Sequence, residues 1–213
     1  MTILWDWNGT LLDDVDTVVE MTDRVFRENG YGPVTRETYQ SKFRHPIREY
    51  YRDMGVTDEE FDRMANTWSR EYVETLSLAP LRQDAIATLE RLRDAGWKHV
   101  IVSASENHQL RQQLSYHPGL TERFDALYGL GDIYAVSKVQ LAQDFLRDSG
   151  EKPEDCVFIG DTNHDAEVAR AAGIPCILVL GGHQTRERVE ATGCPVVESL
   201  TQAADRILAG EKL

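Results

Sequence analysis

Four stretches of the chain carry side chains that can do chemistry, each placed beside a predicted strand or helix start. The first is Asp6-Trp7-Asn8-Gly9-Thr10, an acid, an amide, a glycine and a hydroxyl directly after the apolar run Thr2-Ile3-Leu4-Trp5. The others are Ser103 after Val100-Ile101-Val102, Lys138 at the start of a helical pattern, and Gly160-Asp161-Thr162-Asn163-His164-Asp165 after Val157-Phe158-Ile159. Singly, each has an ordinary structural reading as a helix cap, a solvated charge or a turn. Together, and in this order, they would converge on one edge if the apolar runs are parallel strands, because open α/β sheets present ligand-binding groups at their carboxyl ends. Gly9 frees the backbone to turn sharply there, and Thr10 adds a short hydroxyl donor.

The intervening pattern supplies the elements. Val15, Val18, Val19, Val25 and Phe26 recur at helical spacing, with Asp13 or Asp14 placed to cap the helix and Gly30 to stop it. From about 31 to 78 no continuous β-branched run occurs; Tyr39, Phe43, Tyr50, Tyr51, Phe61, Trp68 and Tyr72 are interleaved with charges, as in a small helical insertion. Pro46 reads as the first residue of a helix and Thr57-Asp58-Glu59-Glu60 as a capping box. Helices ending at Gly96, starting near Glu106, capped by Ser137 and running to Gly173 then alternate with strands at 100–102, 124–128, 157–159 and 176–180, before a final amphipathic helix through Leu200, Ala203, Ala204, Ile207 and Leu208. Five strands apolar on both faces and separated by helices predict an α/β fold, a Rossmann-like doubly wound parallel sheet.

The net charge of −13 opposes binding to nucleic acid or an anionic membrane, so an anionic small substrate needs a local basic or metal site. Cys156, Cys176 and Cys194 are odd in number and well separated, which favours reduced thiols. With no 18-residue apolar stretch and no leader-like start, the expectation is a soluble cytoplasmic protein, monomer or homodimer.

The set Asp-x-x-Gly-Thr, strand-Ser, Lys and Gly-Asp-x-x-x-Asp resembles the haloacid dehalogenase superfamily over nearly the whole chain, with the texture of its phosphoglycolate-phosphatase-like hydrolases. The resemblance implies a discontinuous core of residues 1–14 and 80–213, with 15–79 inserted as a helical cap. It implies a small phosphorylated metabolite as substrate and Asp6 as a nucleophile that becomes an aspartyl phosphate. Mg²⁺ would be held by Asp6, the backbone carbonyl of Asn8 and Asp161, with Asp165 acting directly or through a water. Thr10 and Ser103 would donate to phosphoryl oxygens, and Lys138 would offset the negative charge gathered there.

Asn8 departs from that pattern. Phosphatases of the superfamily resemble one another in having a second acid at this place, whereas an amide has no proton to exchange at neutral pH. A slow phosphatase, a preference for good leaving groups, or a proton donor elsewhere would follow, with His45, Asp13 and His164 as candidates. Within the insertion, Lys42, Arg44, His45, Arg48 and Arg52 form a basic cluster in an acidic protein. Arg44 and Arg48 either grip a substrate anion or pair with Glu49 and Asp53 on a solvated face. Lys42 also keeps open a phosphonoacetaldehyde-hydrolase-like chemistry through a Schiff base, and a catalytically weak phosphate-binding protein is a further alternative. His183, Arg186 and Arg188, after Gly181-Gly182, read more readily as a turn and helix start than as part of a site.

Overall fold

Strand β1 (Thr2–Trp5) is buried at every position, as a strand covered by helices on both faces must be. The computed structural model describes residues 1–75, 79–131 and 138–212. Among them, β1 lies inside a six-stranded sheet with β2 (Lys98–Glu106), β3 (Ala126–Leu130), β4 (Cys156–Gly160), β5 (Cys176–Val179) and β6 (Val196–Val197), in the order β3-β2-β1-β4-β5-β6. All the pairings between these strands are parallel. The sequence pattern predicts five strands; β6 spans only two residues, too few for periodicity to reveal, and it forms because β5 offers it an open edge.

Alternation along the strands divides the apolar residues between two layers. Ile3, Trp5, Ile101, Ile159 and Ile177 face a layer containing α5 (Ala85–Asp94), α6 (Asn107–Ser115) and α10 (Leu200–Leu208). Leu4, Val100, Val102, Phe158 and Leu178 face α7 (Lys138–Ser149) and α8 (Asn163–Ala172) on the other side. Ser137, the cap expected for α7, lies outside the described residues.

The aromatic-rich stretch forms α1 (Val15–Glu28), α2 (Arg36–Lys42), α3 (Ile47–Asp53) and α4 (Asp58–Thr75). Their interleaved aromatics pack together, with Phe26 against Tyr51 at 5.1 Å, Tyr51 against Phe61 at 5.1 Å and Tyr39 stacked on Phe43 at 5.0 Å between ring centroids. Pro46 stands one residue before α3, in the N-cap position. Thr57 Oγ1 meets the Glu60 carboxylate at 2.8 Å at the start of α4.

His99 in β2 is a fully buried core histidine. Trp5 Nε1 donates to its Nδ1 at 3.0 Å, so the proton sits on Nε2 and is donated to the Leu89 carbonyl at 3.0 Å. Burial lowers its pKa to about 4. The unfolded chain, with an ordinary histidine near 6.5, takes up this proton first, so stability falls as pH drops from about 6.5 towards 4. His99→Gln keeps a donor and an acceptor but cannot titrate. Urea unfolding across this range should show wild type losing stability relative to the variant as the pH falls; parallel profiles would refute the assignment.

Candidate active site

The chain leaves β1 for β2 on one side and returns to β4 on the other, so the carboxyl ends of β1 and β4 flank the point where strand order reverses. Such a point opens a crevice in a doubly wound sheet. Asp6 and Asp161 stand there, because Trp5 is in register with Ile159 and each strand runs on by a residue or two. The Asp6 N–H still donates to the Ile159 carbonyl at 2.8 Å, which fixes the backbone beneath the carboxylate.

Asp6, Asp161 and Asp165 bring carboxylate oxygens within 4.8 Å of one another in a buried space. Lys138, the first residue of α7, enters the same space and donates to both Asp6 Oδ1 and Asp165 Oδ1, the latter at 2.6 Å. Asp165 Oδ2 accepts from Thr162 Oγ1 at 2.7 Å, Thr162 N at 3.0 Å and Asp161 N at 3.2 Å. One residue thus closes the capping box of α8 and orients the lysine. Burial pushes the Asp6 carboxyl well above its usual range despite Lys138, and Asp165 and Asp161 push it further. Asp165 is buried too, yet Lys138 and Thr162 hold it below the ordinary value. The lysine stays cationic, since Asp165 and Asp6 outweigh its burial.

Three carboxylates against one ammonium leave the cavity short of positive charge. A hard divalent cation with oxygen ligands meets that need, and this donor set fits one. Asp161 is aimed by Thr10 Oγ1, which donates to Oδ1 at 2.9 Å, and by the His183 N–H, which donates to Oδ2 at 2.6 Å. Burial raises its pKa, opposed first by His183. Gly9 is obligatory in this packing: its φ is +71°, and a Cβ there would lie 2.5 Å from Asp161 Oδ2. Arg82 Nε and Nη1 donate to the carbonyls of Gly9 at 3.0 Å and Leu180 at 2.8 Å, tying the loop after β1 to the end of β5.

The Asn8 amide is fully engaged. Its Nδ2 donates to Asp14 Oδ2 at 2.8 Å and to the Tyr72 hydroxyl at 2.5 Å, while Oδ1 accepts from Ser105 Oγ at 2.9 Å. An ionised carboxylate only accepts, so Asp14 dictates which end of the amide carries the nitrogen. Asp14 holds the N-cap position of α1 without capping it; its other oxygen accepts from Gly9 N at 2.8 Å and faces His183 Nε2 at 3.2 Å. His183 is buried, yet Asp14 beside it raises its pKa to about 9, and its Nδ1 meets the Tyr39 hydroxyl at 3.0 Å.

Ser103 is buried, its Oγ accepting from Ser105 N at 3.0 Å. Trp7 is buried as well, its Nε1 donating to Gln113 Oε1 at 2.6 Å, so its ring is anchored on α6. Of the alternative proton donors, Asp13 is solvent-exposed, while His45 and His164 lie tilted against each other at 4.9 Å between centroids across the helical segment and the sheet edge.

The structure does not bring Arg44 and Arg48 to the carboxylates. Arg44 pairs with Asp53 at 2.9 Å and Glu49 at 3.5 Å; Arg48 pairs with Asp62 at 2.8 Å and lies 4.0 Å over the Phe61 ring. This is the solvated-face arrangement: Glu49 and Asp53 of α3 reach Arg44 in the loop before it, and Asp62 of α4 reaches Arg48. Lys42 is exposed and donates to the Asp53 carbonyl at 2.9 Å. His183, read from sequence as part of a turn, and Asp14, read as a cap, are instead built into the site together with Ser105 and Tyr72. Their one local signal was the position of the two acids 13 and 14 directly behind the Asp6 loop.

None of the described helices is long and apolar enough to cross a membrane. Comparison with known proteins agrees with this geometry. A phosphoglycolate phosphatase from Synechococcus elongatus is 24% identical over 193 residues, covering 91% of this chain and 89% of its own. The pyrophosphatase PpaX from Anoxybacillus flavithermus is 24% identical over 174 residues, covering 81% and 80%. A haloacid dehalogenase-like family hydrolase from Streptococcus pneumoniae superposes with a TM-score of 0.85 at 18% identity, over 97% of each chain. The family model of haloacid dehalogenase-like hydrolases matches residues 3–179, and with the Asp6, Lys138 and Asp161 cluster at the switch point of its sheet, the chain belongs to that family.

Proposed function

We propose that the protein is a Mg²⁺-dependent phosphatase of small phosphorylated metabolites, phosphoglycolate-like in substrate class, acting through an aspartyl phosphate on Asp6. The observation that carries this reading is the buried meeting of Asp6, Asp161, Asp165 and Lys138 at the sheet's carboxyl edge. The names of the relatives, phosphoglycolate phosphatase and pyrophosphatase, support a phosphoryl substrate.

In this reading an Asp6 oxygen attacks phosphorus, the ester oxygen departs with its electron pair, and water then cleaves the acyl phosphate to regenerate the carboxylate. Lys138 orients the attacking carboxylate and offsets part of the cost that burial and the neighbouring acids put on its charge. Ser103 turns its hydroxyl to an equatorial phosphoryl oxygen, where charge is stabilised in the transition state, while Thr10, whose hydroxyl donates to Asp161, steadies that carboxylate beside it. Asp6, the Asn8 carbonyl and Asp161 would hold Mg²⁺, with Asp165 behind them. Bound there, the ion supplies the positive charge that three carboxylates and a phosphate lack. The helical segment acts as a cap, with Tyr72 of α4 reaching the Asn8 amide.

Asn8 offers the departing oxygen an N–H at most, and that N–H is already committed to Asp14 and Tyr72. General acid assistance, worth roughly 10²–10⁴-fold, is therefore missing at this position. The Lys42 chemistry has no support in the contacts of that side chain.

Three outcomes test the proposal. Asp6→Asn should abolish Mg²⁺-dependent release of phosphate from a panel of esters; activity indifferent to this change would overturn the nucleophile. Chelation should remove activity and added Mg²⁺ restore it, while Asp161→Asn should weaken Mg²⁺ binding in calorimetry by at least about tenfold, as expected when one charged ligand is lost. Wild type should favour aryl over alkyl phosphates, and Asn8→Asp should raise alkyl turnover by about tenfold or more. Unchanged alkyl turnover would show that no acid is missing.

A further inference from the structure

Two of the chain's cysteines lie in one apolar layer beside the β5–β6 edge of the sheet. Strands β5 and β6 are parallel and pair Leu178 with Val196 and Val179 with Val197. Two residues back along each chain stand Cys176 and Cys194, on the side of the sheet that carries Leu178 and Val196, and both belong to the same apolar layer. Cys194 precedes β6, but the Leu178 N–H still donates to the Pro195 carbonyl at 2.9 Å, so the two segments stay adjacent beside it; neighbouring strands run about 4.8 Å apart, and a disulfide bridges roughly 4.4–6.8 Å between Cα atoms. The two thiols are close enough to shift each other's acidity.

The pair is chemically unequal. Cys176 is buried, whereas Cys194 keeps part of its surface in solvent, with its N–H donating to Thr192 Oγ1 at 3.2 Å. The neighbouring Cys176 thiol, then Thr192 and the charge of Arg170, lower the Cys194 thiol to about 6, while Cys176 is pushed up by that neighbour and by burial. Cys156 is neither paired nor activated: its thiol meets Glu151 at 3.7 Å, and burial raises it to about 12.

We propose that Cys176 and Cys194 form an oxidisable dithiol site, closed to a disulfide by peroxide. The Cys194 thiolate attacks one oxygen of hydrogen peroxide, breaking the O–O bond and releasing hydroxide, which leaves a sulfenic acid. The Cys176 sulfur then attacks the Cys194 sulfur, the S–O bond breaks, and water departs; the two cysteines have given two electrons to the peroxide. The bond closes a loop over residues 177–193. That loop holds His183, whose N–H donates to Asp161, and Gln184, whose amide donates to the Phe43 carbonyl at 3.0 Å. The modification therefore ties down the ends of the segment that links the carboxylate cluster to the helical segment.

The test is limited peroxide treatment of the reduced, full-length protein, followed by alkylation, intact mass and non-reducing peptide mapping. The expected result is loss of two hydrogen atoms, one alkylatable thiol remaining at Cys156, and a linked peptide pair containing Cys176 and Cys194. Cys156→Ser should form the same bond and Cys194→Ser should not. Three alkylatable thiols after treatment, stable oxygen addition at Cys194 alone, or a disulfide that joins two chains or involves Cys156 would each overturn the proposal.

Discussion

The site depends on a buried lysine. Among the described residues, Lys138 is the ammonium contacting a space that holds Asp6, Asp161 and Asp165, and it is hydrogen-bonded to two of them. Removing its charge would leave three carboxylates in a poorly solvated cavity, where like charges cannot all ionise. The surrounding elements serve this contact. Helix α7 starts at the lysine, and α8 starts with a capping box whose acid is also the lysine's partner. Parallel strands β1 and β4 deliver the other two acids from adjacent ends.

A second polar system lies beside the first and links it to the helical segment. Asp14 gathers the Gly9 N–H, the Asn8 amide and His183, while Tyr72 and Tyr39 reach in from α4 and α2. Where an acid at position 8 would exchange protons with a leaving group, the amide instead joins both layers through neutral and charge-assisted hydrogen bonds. Position 8 is thus a structural junction between the loop after β1 and the helical segment. Gln184, in the loop after β5, and Arg188, in the short helix Arg186–Glu190 that follows, extend the junction by donating to the Phe43 carbonyl.

Much of this was legible in the chain itself. The apolar runs at 2–5, 100–102, 157–159 and 176–180 announce strands buried on both faces, and the acids, serine and lysine behind them announce a common edge. The aromatic texture of 31–78 announces a separate helical packing. What failed to register did so for identifiable reasons. Two residues of β6 carry no period. Asp14 sits where an N-cap residue is ordinary, and nothing local shows that its carboxylate turns back to the Asp6 loop instead. The basic cluster at 42–52 gives the same composition whether it faces a substrate or its own acids.

The sequence by itself determined the order of strands and helices, the residue types at the strand ends and the absence of an acid at position 8, because these follow from local patterning and chemical identity. Only the tertiary structure decided the partners. Lys138 meets Asp6 across 132 residues of chain, His183 meets Asp14 across 169, and Tyr72 meets Asn8 across 64. Hydrogen bonds of that reach depend on how layers stack and where loops cross, and buried polar groups accept whichever partner the packing brings, since leaving them unpaired costs more than the bond returns in water. For the same reason Arg44 and Arg48 turned to nearby acids: an exposed guanidinium takes the carboxylate within reach, and residue spacing alone cannot say which one that is.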